Sequence, residues 1–404
     1  MVWVSLGLRA VVNVEALNMV ESVGNVTRHR KAAIVYKTKT GYVIRWVPVI
    51  SGETIAHAYQ YWIAKLAKDR GLPVCSYCSI GEFVKHTQLE VFGDLQWEKS
   101  LRDIYNALMN IQDRRDKDEL LTSLNTLKGL TTYLPDDVRN RYVELINKAV
   151  DYVNSKASRS KGKRVMVELD RILRGQININ SISALERVLV ANCVVEDIGG
   201  FLIAGRIPIK RTSRFSVGYM VPAIDAIDKT IVEPQFHVRH APKAQQILGQ
   251  AQMPYYVEVS SAVYLLTFSL DISSIGKISM VKIEDVVDKE ERMKRVNCAL
   301  DALALMLDSK LFGAKLTRFN PIIDYETIIV AVSCKYPFNV SPPLSINYIT
   351  ETINRANNFS KMMNDEVKIF GYKVDVENVE KAQTVIDLLS RVKNYIKNIL
   401  TERD

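Results

Sequence analysis

Cys75 and Cys78, in "VCSYC", have the spacing of a metal-ligand pair. A structural zinc needs four ligands. No second Cys-x-x-Cys occurs, and Cys193, Cys298 and Cys334 are isolated in the sequence. His57 and His86 would complete a Cys₂His₂ set only through the fold. The pair therefore reads as reduced, partly buried thiols, and no metal is assigned. The five histidines are His29, His57, His86, His237 and His240. A metal-independent ribonuclease needs a general base and an acid within reach of one 2′-hydroxyl. His29 and His57 could supply these in principle, but His57 falls in a helical stretch, where a histidine more often packs. There is no Walker A run, G-x-S-x-G elbow or H-E-x-x-H. The sequence assembles no catalytic constellation and no cofactor site.

The cations are more informative. No Asp or Glu occurs between Glu21 and Glu53, whereas Arg28, Arg30, Lys31, Lys37, Lys39 and Arg45 all fall there. A second acid-free window runs from Ile198 to Ile224. It holds Arg206, Lys210, Arg211 and Arg214, interleaved with Phe215, Tyr219 and Met220. "EPQFHVRHAPK" then adds Phe236, His237, Arg239, His240 and Lys243. Guanidinium groups among aromatics suit a flexible phosphate backbone with splayed bases. The plain alternative is a surface loop whose aromatics tuck into the core. A third basic spot, "GAKLTRFNP", carries Lys315, Arg318 and Phe319; a helix C-terminus favours cations in any case. The formal charge of the 404-residue chain is +9, which matters as an electrostatic footprint only where it clusters. With 48% hydrophobic and 25% charged residues, the composition is that of a folded globule of two or three domains. The start lacks the features of a secretory leader, and no apolar run reaches the ~18 residues of a membrane span. The expectation is a soluble, cytoplasmic chain that makes no membrane contact.

These residues need elements to position them. Val2, Val4, Leu6, Leu8, Ala10, Val12 and Val14 alternate, which predicts a long half-buried strand. Residues 32–49 read as a hairpin turning near Thr40-Gly41. Ile55, Tyr59, Trp62 and Leu66 then give a helix ended by Gly71 and Pro73. Helical stripes follow at Leu101, Ile104, Leu108 and Ile111, at Leu120, Leu124 and Leu127, and at Val138, Tyr142, Leu145, Ala149 and Val153. They close on the basic, solvated run "SKASRSKGKR". Strands are predicted at "ANCVVEDIGGFLIAG", at "PYYVEVSSAVYLLTFSLDI" and at "YETIIVAVSC". The first two are separated by some 50 irregular residues, which Gly199-Gly200 and Pro242 punctuate as a detachable unit. A helix along Met293, Val296, Leu300, Leu303 and Leu307 precedes the last strand, with Gly313 as its stop, and two amphipathic helices finish the chain. Without the insertions the order is strand, helix, strand, strand, helix, strand. That is an α+β fold with an RRM-like (ferredoxin-like βαββαβ) core, a common platform for single-stranded RNA.

Six blocks in order, "RAVVNVEALNMVESVGNVTRHRKAAIV", "VPVISGETIAHAYQ", "VCSYCSIGEFVKH", "IKRTSRFSVGYMVPA", "EPQFHVRHAP" and "MPYYVEVSSAVY", resemble the archaeal DevR-like CRISPR-associated backbone subunits, the type I-A members of the Cas-seven family. The resemblance runs from about Leu6 to Arg318; between about Leu89 and Asn180 it is one of character only. It implies a non-catalytic subunit that polymerises along CRISPR RNA in the Cascade surveillance complex. Partners would be CRISPR RNA, copies of the chain in a helical filament, other Cascade subunits, and target DNA through the guide. It also implies a palm in residues 1–88, 193–205 and 244–337, helical fingers in 89–192, a β-hairpin thumb in 206–243 and a helical extension in 338–404. RNA-contacting residues in the palm would be Asn25, Arg28, His29, Arg30, Ser51, Gly52, Lys315 and Arg318. Those in the thumb would be Arg206, Lys210, Arg211, Arg214, Phe215, Met220, Phe236, Arg239 and His240. Relatives of other CRISPR types that cut RNA use an Asp in the thumb region, where this chain has Asp225 and Asp228; a type I member is not expected to cut. The alternative is a guide-maturing CRISPR endoribonuclease, but the chain lacks that relative's glycine-rich C-terminal loop.

Overall fold

A computed structural model describes residues 1–86, 95–100, 103, 117–134, 136–156, 183, 185–204, 208–240 and 252–402. The chain divides into two compact units. The first comprises Met1–Trp62, Phe215–Ser273 and Ala299–Asp404, and the second Ile63–Arg214 and Ser274–Cys298.

The first unit is built on the predicted N-terminal strand, β1 (Trp3–Glu15). Short strands β2 (Met19–Val23) and β3 (Val26–His29) follow, then the hairpin β4 (Lys31–Thr38) and β5 (Gly41–Pro48), then helix α1 (Gly52–Asp69). Beyond the second unit's first segment come β8 (Phe215–Val217), β9 (Val221–Pro222), β10 (Ile231–His240) and β11 (Gln252–Asp271), and later β14 (Ile322–Ser333), β15 (Val367–Tyr372) and β16 (Glu380–Ala382). The sheet order is β16-β15-β14-β1-β11-β3-β2, with β8, β9 and β10 each paired to β11. Strand β1 runs antiparallel to both β11 and β14.

Val2, Val4, Leu6, Leu8, Ala10 and Val12 are each at most 1% exposed, as their alternation predicts. The strand is not half-buried, however, because its other face is covered as well. Ser5 Oγ donates to the Phe338 carbonyl at 2.9 Å, and Arg9 is buried against Asp225 and Glu326. Val14 leaves the pattern: the register shifts there, its φ is +55°, and its side chain is exposed. That is a bulge, where the extra residue loses its pairing and turns outward.

The stretch after Ile203 is not irregular. Strands β8, β9 and β10 all pair antiparallel with β11, and the 20-residue length of β11 gives room for all three. The expected strand at "ANCVVEDIGGFLIAG" is also corrected. Val194–Gly199 is a short, fully buried helix, and only Phe201–Ile203, β6, is a strand. A short apolar run buried on every side does not distinguish helix from strand by periodicity. Beyond Pro337 the two predicted helices are present (Tyr348–Met363 and Val385–Glu402). Strands β15 and β16 come between them, so the extension is not purely helical. It packs Phe338, Tyr348 and Ile353 on Ile329 and Ala331 of β14, and each such buried side chain contributes roughly 1.5–3 kcal/mol.

The second unit contains helices Lys117–Leu130 and Asp136–Lys156, in which Leu124, Leu127 and Ala149 are buried as the stripes predict. The stripe from Leu101 to Ile111 and residues 157–164 of the basic run lie outside the described residues. The hairpin of β6 and β7 (Ile209–Arg211) and the small pair β12 (Lys277–Ile278) and β13 (Glu284–Asp285) complete it. The boundary between the units passes through α1 and through helix Lys289–Ser309.

Candidate nucleic-acid interface

Where β1 ends, the first unit opens into a groove of about 560 Å³, lined by Asn18, Arg30, Ser51, Thr54, His57 and the 311–314 turn among others. Ser51 caps α1, its Oγ accepting from the Thr54 N–H at 3.3 Å. Its own N–H donates to Asn18 Oδ1 at 2.8 Å. Gly52 follows because a Cβ there would lie 2.8 Å from the Val217 carbonyl oxygen. The open N–H groups and positive end of an 18-residue helix thus face the groove. The Arg30 backbone is pinned, its N–H donating to the Asn18 carbonyl (2.9 Å) and its carbonyl accepting from the Val49 N–H (2.9 Å). Its guanidinium Nε is buried and has no hydrogen-bond partner among the described residues. A buried cationic donor with no acceptor is costly, and an anion in the groove would satisfy it. Glu53, also in the lining, opposes an anion, so the helix end and Arg30 must outweigh one carboxylate.

A second group lies around the pairing of β10 with β11. His237 stacks on Tyr255 with ring centroids 5.2 Å apart, and Phe319 meets His237 edge-on at 5.5 Å. The Arg239 guanidinium lies 5.5 Å from the centroid of the Tyr255 ring, and Arg318 Nη1 donates to the Tyr255 hydroxyl at 3.4 Å. Phe236 is 58% exposed beside Tyr256. Lys315 is exposed, with a left-handed φ of +55°. Burial of part of its stem and then the neighbouring Arg318 charge hold its ammonium below the usual lysine range. Aromatic faces ringed by cations can stack bases and neutralise phosphates together.

The expected site residues separate into two groups. Asn25, Arg28, Phe236, Arg239, Lys315 and Arg318 are exposed on the first unit, and Arg30 is half-buried in the groove. Arg28 has only a loose ion pair, 3.8 Å from Glu21. Lys210 is exposed on the second unit. Ser51 and Gly52 are buried and shape the helix end. His29 is 3% exposed: its Nδ1 donates to the Arg30 carbonyl (2.8 Å) and its Nε2 lies 2.7 Å from Glu15 Oε1. Phe215 packs edge-on against Tyr59, and Met220, 1% exposed, bridges Ile50. Arg211 is buried, its Nη1 3.2 Å from Glu186 Oε1 and its Nη2 bonded to Asp197, which also holds Arg295. Arg214, almost as buried, donates to Ser279 Oγ at 2.9 Å. The side chains of His29, Arg211, Arg214, Phe215 and Met220 are therefore committed to the protein interior. Arg206 and Lys243 lie outside the described residues, as does the His240 side chain. Asp225 and Asp228 are paired with Arg9 (2.9 Å) and Arg45 (2.6 Å).

Sequence reasoning did not assign Asn18, Thr54 or Tyr255 to this surface. Tyr255 carried a signal, since it opens an alternating strand on which aromatics meet the basic "FHVRH" run. Asn18 carried none, because its role depends on a turn between two strands.

The family model for the CRISPR-associated negative auto-regulator DevR/Csa2 matches residues 6–123 and 138–353. The chain belongs to the DevR/Csa2 family. CRISPR-associated protein Cas7/Csa2 1 of Saccharolobus solfataricus is 32% identical over 383 residues, 93% of either chain. CRISPR-associated aCascade subunit Cas7/Csa2 2 of the same organism is 32% identical over 405 aligned positions, covering 99% of this chain and all of that one. A chain of a solved CRISPR RNA-guided surveillance complex, pre-nicking, aligns with a TM-score of 0.49 at 10% identity, covering 97% of this chain and 99% of that one. Among the described residues, no helix is long and apolar enough to cross a membrane.

Proposed function

We propose that this DevR/Csa2-family chain is a non-catalytic backbone subunit of a CRISPR RNA-guided surveillance complex of the Cascade type. Copies line up along CRISPR RNA, hold its phosphates, and present the bases for pairing with target DNA. Family membership, and near-full-length similarity to a relative named an aCascade subunit, support the assignment to such a complex. The RNA-facing part is carried by Arg30, half-buried in the groove at the N-terminus of α1, whose buried Nε has no hydrogen-bond partner among the described residues. The RRM-like reading of the core is supported by the antiparallel order β14, β1, β11, then β8 to β10, with α1 and helix Lys289–Ser309 as the intervening helices. In this reading the palm contacts are Asn25, Arg28, Arg30, Lys315 and Arg318. The thumb narrows to the outer part of the β10–β11 hairpin with Phe236 and Arg239. Copies of the chain, other Cascade subunits and the cytoplasm are the corresponding partners and location.

The burial of His29 counts against the endoribonuclease alternative, since its ring has no solvent-facing edge to meet a 2′-hydroxyl. His57, exposed in the groove, is the residue left to test. Purified chain incubated with repeat-derived RNA in EDTA should leave the RNA intact. It should also form particles whose mass grows with RNA length. Cleavage that disappears in His57→Ala would replace this reading with the nuclease.

A further inference from the structure

Cys75, Cys78 and Cys193 are isolated from a second Cys-x-x-Cys in sequence but meet in the second unit. Their sulfur atoms all lie within 4.8 Å of one another, and each residue is at most 1% exposed. The one-turn helix Ser76–Ser79, closed by a 2.9 Å bond from the Ser79 N–H to the Cys75 carbonyl, puts Cys75 and Cys78 on one side. A 2.9 Å bond from the Val194 N–H to the Pro73 carbonyl brings Cys193 alongside. His86, wholly buried, offers a ring nitrogen within 4.8 Å of the Cys75 sulfur. Lys85 and His86 both have left-handed φ values, +55° and +47°. Two consecutive non-glycine residues in that region carry strain, which persists only where the surroundings enforce it.

We propose that Cys75, Cys78, Cys193 and His86 bind one structural zinc ion. Three thiolates and an imidazole form a common composition for a closed zinc site. At zinc–sulfur distances of about 2.3 Å, tetrahedral sulfurs stand about 3.8 Å apart, which the observed cluster accommodates. The surroundings orient the ligands. Glu196 Oε1 lies 3.2 Å from His86 Nδ1 and accepts from Cys78 Sγ at 3.8 Å, a carboxylate–histidine pairing of the kind that orients an imidazole ligand. Glu98 is occupied by the Ser76 N–H and hydroxyl (3.2 and 2.8 Å) and steadies the Cys75 turn. Three thiolates with one zinc carry a net negative charge, which the Lys85 ammonium, bonded to the Gly199 carbonyl at 3.3 Å, partly offsets. Packing of the thiols as small apolar groups does not account for the site, because it also buries a glutamate and a histidine.

The test uses the full chain, purified without a metal-affinity tag and assayed for zinc by mass spectrometry. About one zinc per chain is expected, released in step with titration of the thiols by a mercurial. Cobalt(II) exchanged into the chain should give thiolate charge-transfer and tetrahedral d–d bands. Cys193→Ser should lose most of the zinc and Cys334→Ser none, while His86→Cys should keep it. Five free thiols with no zinc after reconstitution would overturn the proposal, as would a disulfide at Cys75–Cys78 or zinc retained unchanged in Cys193→Ser. If Cys193→Ser fails to fold, the cobalt spectrum of the unsubstituted chain decides: absent thiolate bands overturn the proposal.

Discussion

Arg30 lines the groove at the helix N-terminus, while hydrogen bonds on both sides hold its backbone whatever its side chain. Arg28→Ala with Arg30→Ala should therefore weaken binding to single-stranded RNA while leaving the melting temperature essentially unchanged, as a binding isotherm and a thermal melt would show. The opposite holds for Arg211. Arg211→Ala removes the cation that Asp197 and Glu186 share, leaving, among the described residues, Asp197 with Arg295 and Glu186 with backbone N–H donors alone, and breaking a buried pair costs about 3–5 kcal/mol. Urea unfolding should register that loss, and conserved stability would mean the network is not as described. Lys315 is a third case. Its depressed ammonium loses its proton earlier on the alkaline side than an ordinary lysine. RNA affinity should decline as pH rises through that range, and Lys315→Arg should remove this part of the decline because arginine stays charged. Binding measured against pH for both chains checks the sign. These contrasts explain what was legible at this scale. The acid-free windows marked basic stretches correctly, but charge in sequence does not distinguish Arg30 at a surface from Arg211 beneath one. Burial is decided by partners such as Asp197 and Glu186, which belong to other elements.

At the scale of elements, β1, α1, β11 and β14 were legible because alternation or helical spacing ran long enough to fix the type. The stretch from Ile203 to β10 was not, because strands of two or three residues carry no periodicity. The consequence is practical. Replacing Ile209–Gln235 with a Gly-Ser linker should not leave a folded chain, although the sequence reads as if that segment could be excised. The replacement removes β7, the partner of β6, together with β8, β9 and the first half of β10, and exposes the edge of β11 that the last three cover. Insolubility, or loss of the cooperative melt, is the expected outcome; a native-like melt would show that β11 needs none of them. Gly200 makes a smaller test. Its φ is +72°, and a Cβ would come within 2.4 Å of the Arg211 carbonyl oxygen. Gly200→Ala should lower stability by about 1–3 kcal/mol, measured by chemical denaturation.

Across the whole molecule the two units differ in where their cations lie. The first carries the exposed candidate residues Arg28, Phe236, Arg239, Lys315 and Arg318 around a sheet that is covered on both faces at β1. The second buries Arg211 and Arg295 in ion pairs and gathers three of the five cysteines into one cluster. The formal charge of +9 is therefore less informative than its placement: Arg211, Arg214 and Arg295 are interior, while Arg28, Arg239, Lys315 and Arg318 are available to a polyanion. If these residues hold an RNA backbone, each neutralised phosphate releases counterions, and the log–log slope of affinity against salt is about −0.7 per phosphate for a single strand. Base identity should matter little, since pairing is left to the guide. The most direct test is a titration of the chain with single-stranded RNAs of unrelated sequence across a range of salt. The account predicts a steep slope shared by all sequences, made shallower in the chain carrying Arg30→Ala, Lys315→Ala and Arg318→Ala. A flat slope, or one that those substitutions leave unchanged, would contradict it.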